Sequence, residues 1–190
     1  MESLVRTRAV SRSAVGVAAL LLCAIAVAPA SARPTTARAR AGSLVVLPSL
    51  GAQVVAAVNR VRLEHDRRAL SPAVGLEAAA LRHSVDMGEH GYFSHDSGDG
   101  SRFWKRLRTF YPEGMSTCWS VGENLVYAAP ALTADQAVQL WMKSPEHRRI
   151  LLDPRWRQMG VAAVHVIQAG GVYGGQTVTL IANDFGVRSC

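Results

Sequence analysis

The chain has no His-Glu-x-x-His, no Gly-x-Ser-x-Gly, no Walker-type Gly-x-x-x-x-Gly-Lys loop and no Cys-x-x-Cys pair. These absences count against the familiar zinc-protease, serine-hydrolase, nucleotide-binding and thiol-redox chemistries. No internal repeat and no nucleic-acid motif occur, and the paired arginines Arg67-Arg68 and Arg148-Arg149 are scattered. The one long uncharged apolar run, Ala14 to Ala28, is about fifteen residues, short of the ~20 that a spanning helix needs.

That run instead completes an export signal. Arg6, Arg8 and Arg12 precede it and Ala30-Ser31-Ala32 follow it, supplying the small-x-small pattern for cleavage. Residues 1–32 are therefore expected to be a signal peptide. Residues 33–48 are expected to form a flexible linker and 49–190 one domain, with no transmembrane segment once the signal is removed. Loss of three arginines and one glutamate takes the net charge from +7 to +5. A basic exported protein is drawn to anionic lipids or cell-wall polymers. Cleavage also removes Cys23 and leaves Cys118 and Cys190. In an oxidising compartment these are expected to pair as a disulfide, stabilising by roughly 4 kcal/mol, with two free thiols as the alternative.

The periodicity is helical first and strand-like last. Leu50, Val54, Val58 and Val61 form one stripe of a helix. Ser71-Pro72 reads as a cap and first position of a second helix, running to about Met87 and ended by Gly88 and Gly91. Ser101 to Phe110 is a short amphipathic helix stopped by Pro112, and an irregular stretch holding Cys118 and Gly122-Glu123-Asn124 follows. Thr133-x-x-Gln136 is a capping box, and Ser144-Pro145 starts another short helix that ends at Asp153-Pro154. Val161 to Ile167 and Thr177 to Ala182 alternate with period 2 around glycine pairs, predicting an antiparallel hairpin. The pattern is that of an α+β domain with helices packed on an antiparallel sheet. Trp104, Trp141 and Trp156 are expected in the core or at a cleft wall.

Two of the six histidines stand apart. His95 opens a turn-rich loop beside Tyr92 and Phe93, and His147 falls in the first turn of a helix, where the helix dipole disfavours imidazolium. A neutral imidazole can bind metal or accept a proton, but spacing alone does not show that the two meet.

Ser94-His95, then Gly122-Glu123-Asn124-Leu125, then Trp141-Met142-Lys143-Ser144-Pro145-Glu146-His147-Arg148 come in one order. Asn59-x-x-Arg62, Tyr92-Phe93 and Met159-Gly160-Val161 support them. In these motifs, over about residues 52–186, the chain resembles the CAP superfamily of cysteine-rich secretory, antigen-five and pathogenesis-related proteins, in its small bacterial exported form. The resemblance implies an α-β-α sandwich with an open cleft. It makes His95 and His147 a histidine pair and Glu123 the acid beside them, and some members hold a divalent metal such as zinc on such a pair. Asn59 and Arg62 become structural residues joining the first helix to a neighbouring loop. Two positions depart from the pattern: Ser144 stands where many members have Glu, and Glu146 where bacterial relatives have Gly. Glu146 is either a carboxylate favoured at a helix N-terminus or a substitute cleft acid.

The implied function is a secreted protein of the cell envelope. Its cleft (His95, Glu123, His147, Glu146, Ser144) would bind an extracellular small molecule: a lipid, a sterol-like molecule or a cell-wall fragment. Three other readings stay open: a metal-assisted hydrolase with His95 and His147 as metal ligands and Glu123 or Glu146 as catalytic acid or base, a metal-free acid–base pair, and a surface protein with an idle cleft.

Overall fold

The computed structural model describes residues 42–115 and 118–188. The expected signal peptide, residues 33–41 and Cys190 lie outside the described residues, and with Cys190 the pairing expected for Cys118.

The elements, in chain order, are β1 (Leu44–Val46), α1 (Pro48–Glu64), β2 (Ser71–Pro72), α2 (Val74–His90), α3 (Phe103–Phe110), β3 (Ser120–Ala128), α4 (Ala134–Lys143), α5 (Pro145–Leu151), β4 (Gln158–Val166) and β5 (Val178–Val187). The strands run β1-β4-β5-β3 across one sheet. Antiparallel pairing joins β3 to β5, β4 to β5 and β1 to β4, while β2 adds a short parallel pairing to β4.

Both faces of the sheet are covered, which makes the α-β-α sandwich. Alternate residues of β4 point to opposite layers. Val161 and Ala163 pack with Val54 and Val58 of α1 and Val138 and Trp141 of α4. Ala162, Val164 and Val166 pack with Ala80 and Met87 of α2. Trp141 is 1 % exposed, and its indole N–H donates to the Leu125 carbonyl at 3.0 Å, so α4 is pinned to β3 by packing and by a hydrogen bond. Thr133 and Gln136 form the capping box that starts α4. Asn59 exchanges two hydrogen bonds with the backbone of Leu70. The buried Arg62 guanidinium donates to the carbonyls of Arg68, Leu151 and Asp153, tying α1 to the loop after α5.

Several expectations are corrected. Ser71-Pro72 does not begin α2. The Ser71 and Ala73 amides donate to Arg157 and Met159 carbonyls, so the segment is drawn into the sheet, and α2 starts at Val74. Gly88 lies inside α2 as a packing residue, where a Cβ would come within 2.8 Å of Val166. The true stop is Gly91, at φ 69°, a left-handed cap natural to glycine. Leu44–Val46, assigned to the linker, form β1, paired with Val164–Val166. The stretch around Gly122-Glu123-Asn124 is not irregular but the nine-residue strand β3. Trp104 is 38 % exposed and faces solvent, not the core.

Candidate functional site

The site grows from β3, the edge strand. Its alternate residues face opposite layers, so neighbours Glu123 and Asn124 serve opposite sides of the sheet. Both are buried.

On the α2–α3 side stands His95, in the loop after α2. The buried His83 of α2 donates from Nε2 to the Ser94 carbonyl at 2.8 Å. Asp96 accepts from the first amide of α3, that of Phe103, at 3.1 Å. The turn carrying His95 is thus tied at both ends. His95 Nδ1 then lies 2.7 Å from Glu123 Oε1, and with Nδ1–H donating, Nε2 is left for a ligand. The other oxygen, Glu123 Oε2, accepts from Arg106 Nη2 at 2.5 Å, and Arg106 Nη1 reaches the His95 carbonyl and Ser97 Oγ. Arg106 is itself buried. A carboxylate out of water needs such partners.

The electrostatics follow. The hydrogen bond to Glu123, outweighing partial burial, raises the pKa of His95 above its ordinary value. Burial lowers that of His147, and the charge of His95 lowers it further. The two rings thus sense each other's charge. Burial also lowers that of His83, which favours the neutral ring. On β5, Asp184 is directly opposite Glu123 in the register and fully buried. Burial and the facing Glu123 hold its carboxyl far above the usual carboxylate range.

On the other side, Asn124 Nδ2 donates to the His147 carbonyl at 3.0 Å. Ser144 is the N-cap of α5 without a side-chain capping bond, and Glu146 lies in its first turn. Glu146 is exposed and Ser144 half-buried. Neither lines the cavity beside His95. Among the described residues, no three of His, Cys, Asp or Glu converge in a geometry that could hold a metal ion.

That cavity encloses about 330 Å³. Its floor is Gly122-Glu123, its walls are Phe103, Ile150 and Trp156, and Arg149 and Arg155 stand at its margin. Arg155 is neutralised by Asp153 at 2.7 Å; the Arg149 side chain has no hydrogen bond or ion pair among the described residues. A second cavity, about 360 Å³, sits between α1, α2 and β4, lined by groups such as Leu47, Val55, Leu81 and Val161 and far from either histidine's chemistry.

Arg106, Asp184 and His83 were not singled out in the sequence. Asp184 lies just past the period-2 run that ends at Ala182, beside the polar Asn183, so the alternation did not reach it.

The model of the cysteine-rich secretory protein (CAP) family matches residues 55–176. The uncharacterized protein YkwD of Bacillus subtilis (strain 168) is 30% identical over 137 residues, 72% of this chain and 50% of that protein. The uncharacterized membrane protein YlbC of the same organism is 31% identical over 109 residues, 57% of this chain and 30% of that protein. The chain therefore spans no more than half the length of either relative. The crystal structure of an extracellular protein containing a SCP domain from Bacillus anthracis str. Ames superposes with a TM-score of 0.54 at 26% identity, over 73% of this chain and 40% of that one. No described helix is long and apolar enough to cross a membrane.

Proposed function

Since the chain belongs to the CAP family of cysteine-rich secretory proteins, we propose that it is an exported binding module whose cavity beside His95 holds a small molecule with an apolar body and an anionic group. The carrying observation is the pairing pattern around that cavity. Glu123 is matched by Arg106 and His95, and Asp153 by Arg155, which leaves Arg149 as the marginal cation whose side chain has no partner among the described residues. Phe103, Ile150 and Trp156 offer the apolar wall. A lipid with an acidic head or an acidic cell-wall fragment satisfies both; a neutral sterol-like molecule leaves Arg149 unmatched.

Binding is favoured over hydrolysis by the state of Glu123. Its side chain is 1 % exposed, and both oxygens are engaged by His95 and Arg106. A general base must reach the proton it removes, and this carboxylate is instead a fixed acceptor.

A divalent ion such as zinc fits as an accessory. Imidazole suits it, and Glu123 already orients the His95 ring as an outer acceptor should. His95 and His147 would be the protein donors, water or ligand oxygens completing the shell. When bound, the ion would supply Lewis acidity and a point of attachment for an oxyanion.

The test is an NMR titration of the exported chain with octyl phosphate, octyl glucoside and inorganic phosphate, read at the Trp156 indole and the His95 ring. Octyl phosphate is expected to shift both and to bind roughly five- to tenfold more weakly to Arg149→Gln, as for loss of one charge-assisted contact. Equal binding of the glucoside, or no change in either signal, would overturn the reading. A parallel zinc titration of wild type and the His95→Ala, His147→Ala double variant reports on the metal.

A further inference from the structure

Beneath Glu123 the sheet carries a second carboxyl group for which neither the family resemblance nor the binding reading supplies a role. Asp184 and Glu123 are opposite residues of adjacent antiparallel strands, so their side chains leave the same face of the sheet side by side. Asp184 is 0 % exposed and Glu123 2 %. The residue across from Asp184 on its other flank is Gly160, which offers no side chain. Neither Asp184 oxygen accepts a hydrogen bond from any N–H or O–H group among the described residues. The side chain facing it across the strand pair is Glu123, and both terminal nitrogens of Arg106 are directed to Glu123, Ser97 and the His95 carbonyl, while the buried Arg106 Nε–H makes no hydrogen bond to Asp184 or to any other group among the described residues.

An ionised carboxylate buried without a donor is among the most costly arrangements in a protein. Two adjacent anions would be worse. A neutral Asp184 removes both problems at once, because its O–H then donates to Glu123. We infer that Asp184 is a positioning residue: an uncharged acid whose proton is shared toward Glu123 and which holds Glu123 as the fixed acceptor for His95 Nδ1–H. Glu123 then collects three donors, from Asp184, Arg106 and His95. The consequence at the cavity is a His95 ring set in one tautomer with Nε2 facing the ligand. The elevated pKa direction of Asp184, driven first by burial and then by Glu123, agrees. The other charged and titratable groups packed around the pair are Arg106 of α3, His83 of α2 and His95 of the loop.

Asp184 matters to ligand capture only if the His95 cavity is the working site. The measurements that test it read carboxyl carbons and ring nitrogens with no ligand present, so either idea can fail alone. In metal-free wild-type protein, the carboxyl carbon of Asp184 is expected to show the protonated form at pH 7. The ionised form would overturn the inference. Asp184→Asn keeps a donor toward Glu123 and removes no charge if the acid is neutral. It is expected to leave the His95 pKa within about 0.3 of wild type, with the Nδ1–H tautomer retained. If Asp184 were ionised, the same change would lower the His95 pKa by about one unit and overturn the inference. Asp184→Val removes the donor and is expected to let His95 populate both neutral tautomers; a His95 signal unchanged in folded Asp184→Val would refute the positioning role. Should the valine variant not fold, wild type and Asp184→Asn still decide.

Discussion

Asn124 Nδ2 donates to the His147 carbonyl at 3.0 Å, so the residue after Glu123 holds the backbone of the second histidine. One strand thereby addresses both: Glu123 fixes the ring of His95 from one face of the sheet, and Asn124 fixes the main chain of His147 from the other. Asn124→Ala removes that donor at a part-buried site, which costs about 0.5–1.5 kcal/mol. Urea denaturation should show a midpoint loss of that size. Zinc binding should weaken in the folded fraction, because His147 is released relative to His95.

Glu123→Gln removes the charge that Arg106 and His95 share. Breaking one partner out of a buried pair costs about 3–5 kcal/mol, measurable by denaturant unfolding. The His95 pKa, raised chiefly by the hydrogen bond to Glu123, should fall toward its ordinary value, as an imidazole NMR titration would report. Because His95 is raised in the folded state, its contribution to stability is complete below the unfolded value near 6.5. It is lost as pH rises through the folded value. His147 has the opposite sign: its lowered pKa gives a contribution present above about 6.5 and lost as pH falls through the folded value. Anion binding at the cavity should follow His95, weakening as pH rises through its raised pKa.

A Cβ at Gly122 would stand 2.8 Å from Trp156 Cζ2 and 3.4 Å from Ile150 Cγ2. Gly122→Ala should displace the Trp156 ring, at a cost of about 1–3 kcal/mol. The Trp156 indole resonance should shift without any change in the His95 pKa. A variant that moves His95 instead would show that the cavity wall and the carboxylate network are one unit.

Arg62 is fully buried, and its fork reaches three carbonyls. Burial lowers its pKa to about 10. Lysine has no fork, so Arg62→Lys should lose two or more of these bonds and destabilise by about 2–4 kcal/mol. A thermal melt checks this, and the effect should be independent of ligand.

The sequence disclosed the elements whose pattern has a single cause. The capping box of Thr133 and Gln136 and the period-2 runs of β4 and β5 are local signals. β3 was unreadable for a physical reason: both its faces are covered, so alternation is absent, and Gly122, Glu123 and Asn124 are residue types depleted in strands. They are tolerated because Trp156 needs the space above Gly122 and because Arg106 and His147 supply partners for the other two. Ser71-Pro72 misled because a cap-then-proline pair is equally at home in a short bridge to a sheet edge. His95 and Glu123 were named through the family motif, whereas Arg106 and Asp184 belong to runs whose helix and strand patterns hide their inward-facing charge.

The sheet order carries a consequence for how the chain reaches its native state. β5 lies between β4 and β3, and β3, at residues 120–128, has its only strand partner among the described residues in residues 179–187. The carboxyl pair and the cavity floor come into being at that late closure, and long-range strand pairing is slow. A nascent chain that has not yet delivered residues 179–187 is a set of helices around an unfinished sheet. Until those residues arrive, the edge that β3 presents to β5 stays open, so the cavity floor is the last part of the sheet to close.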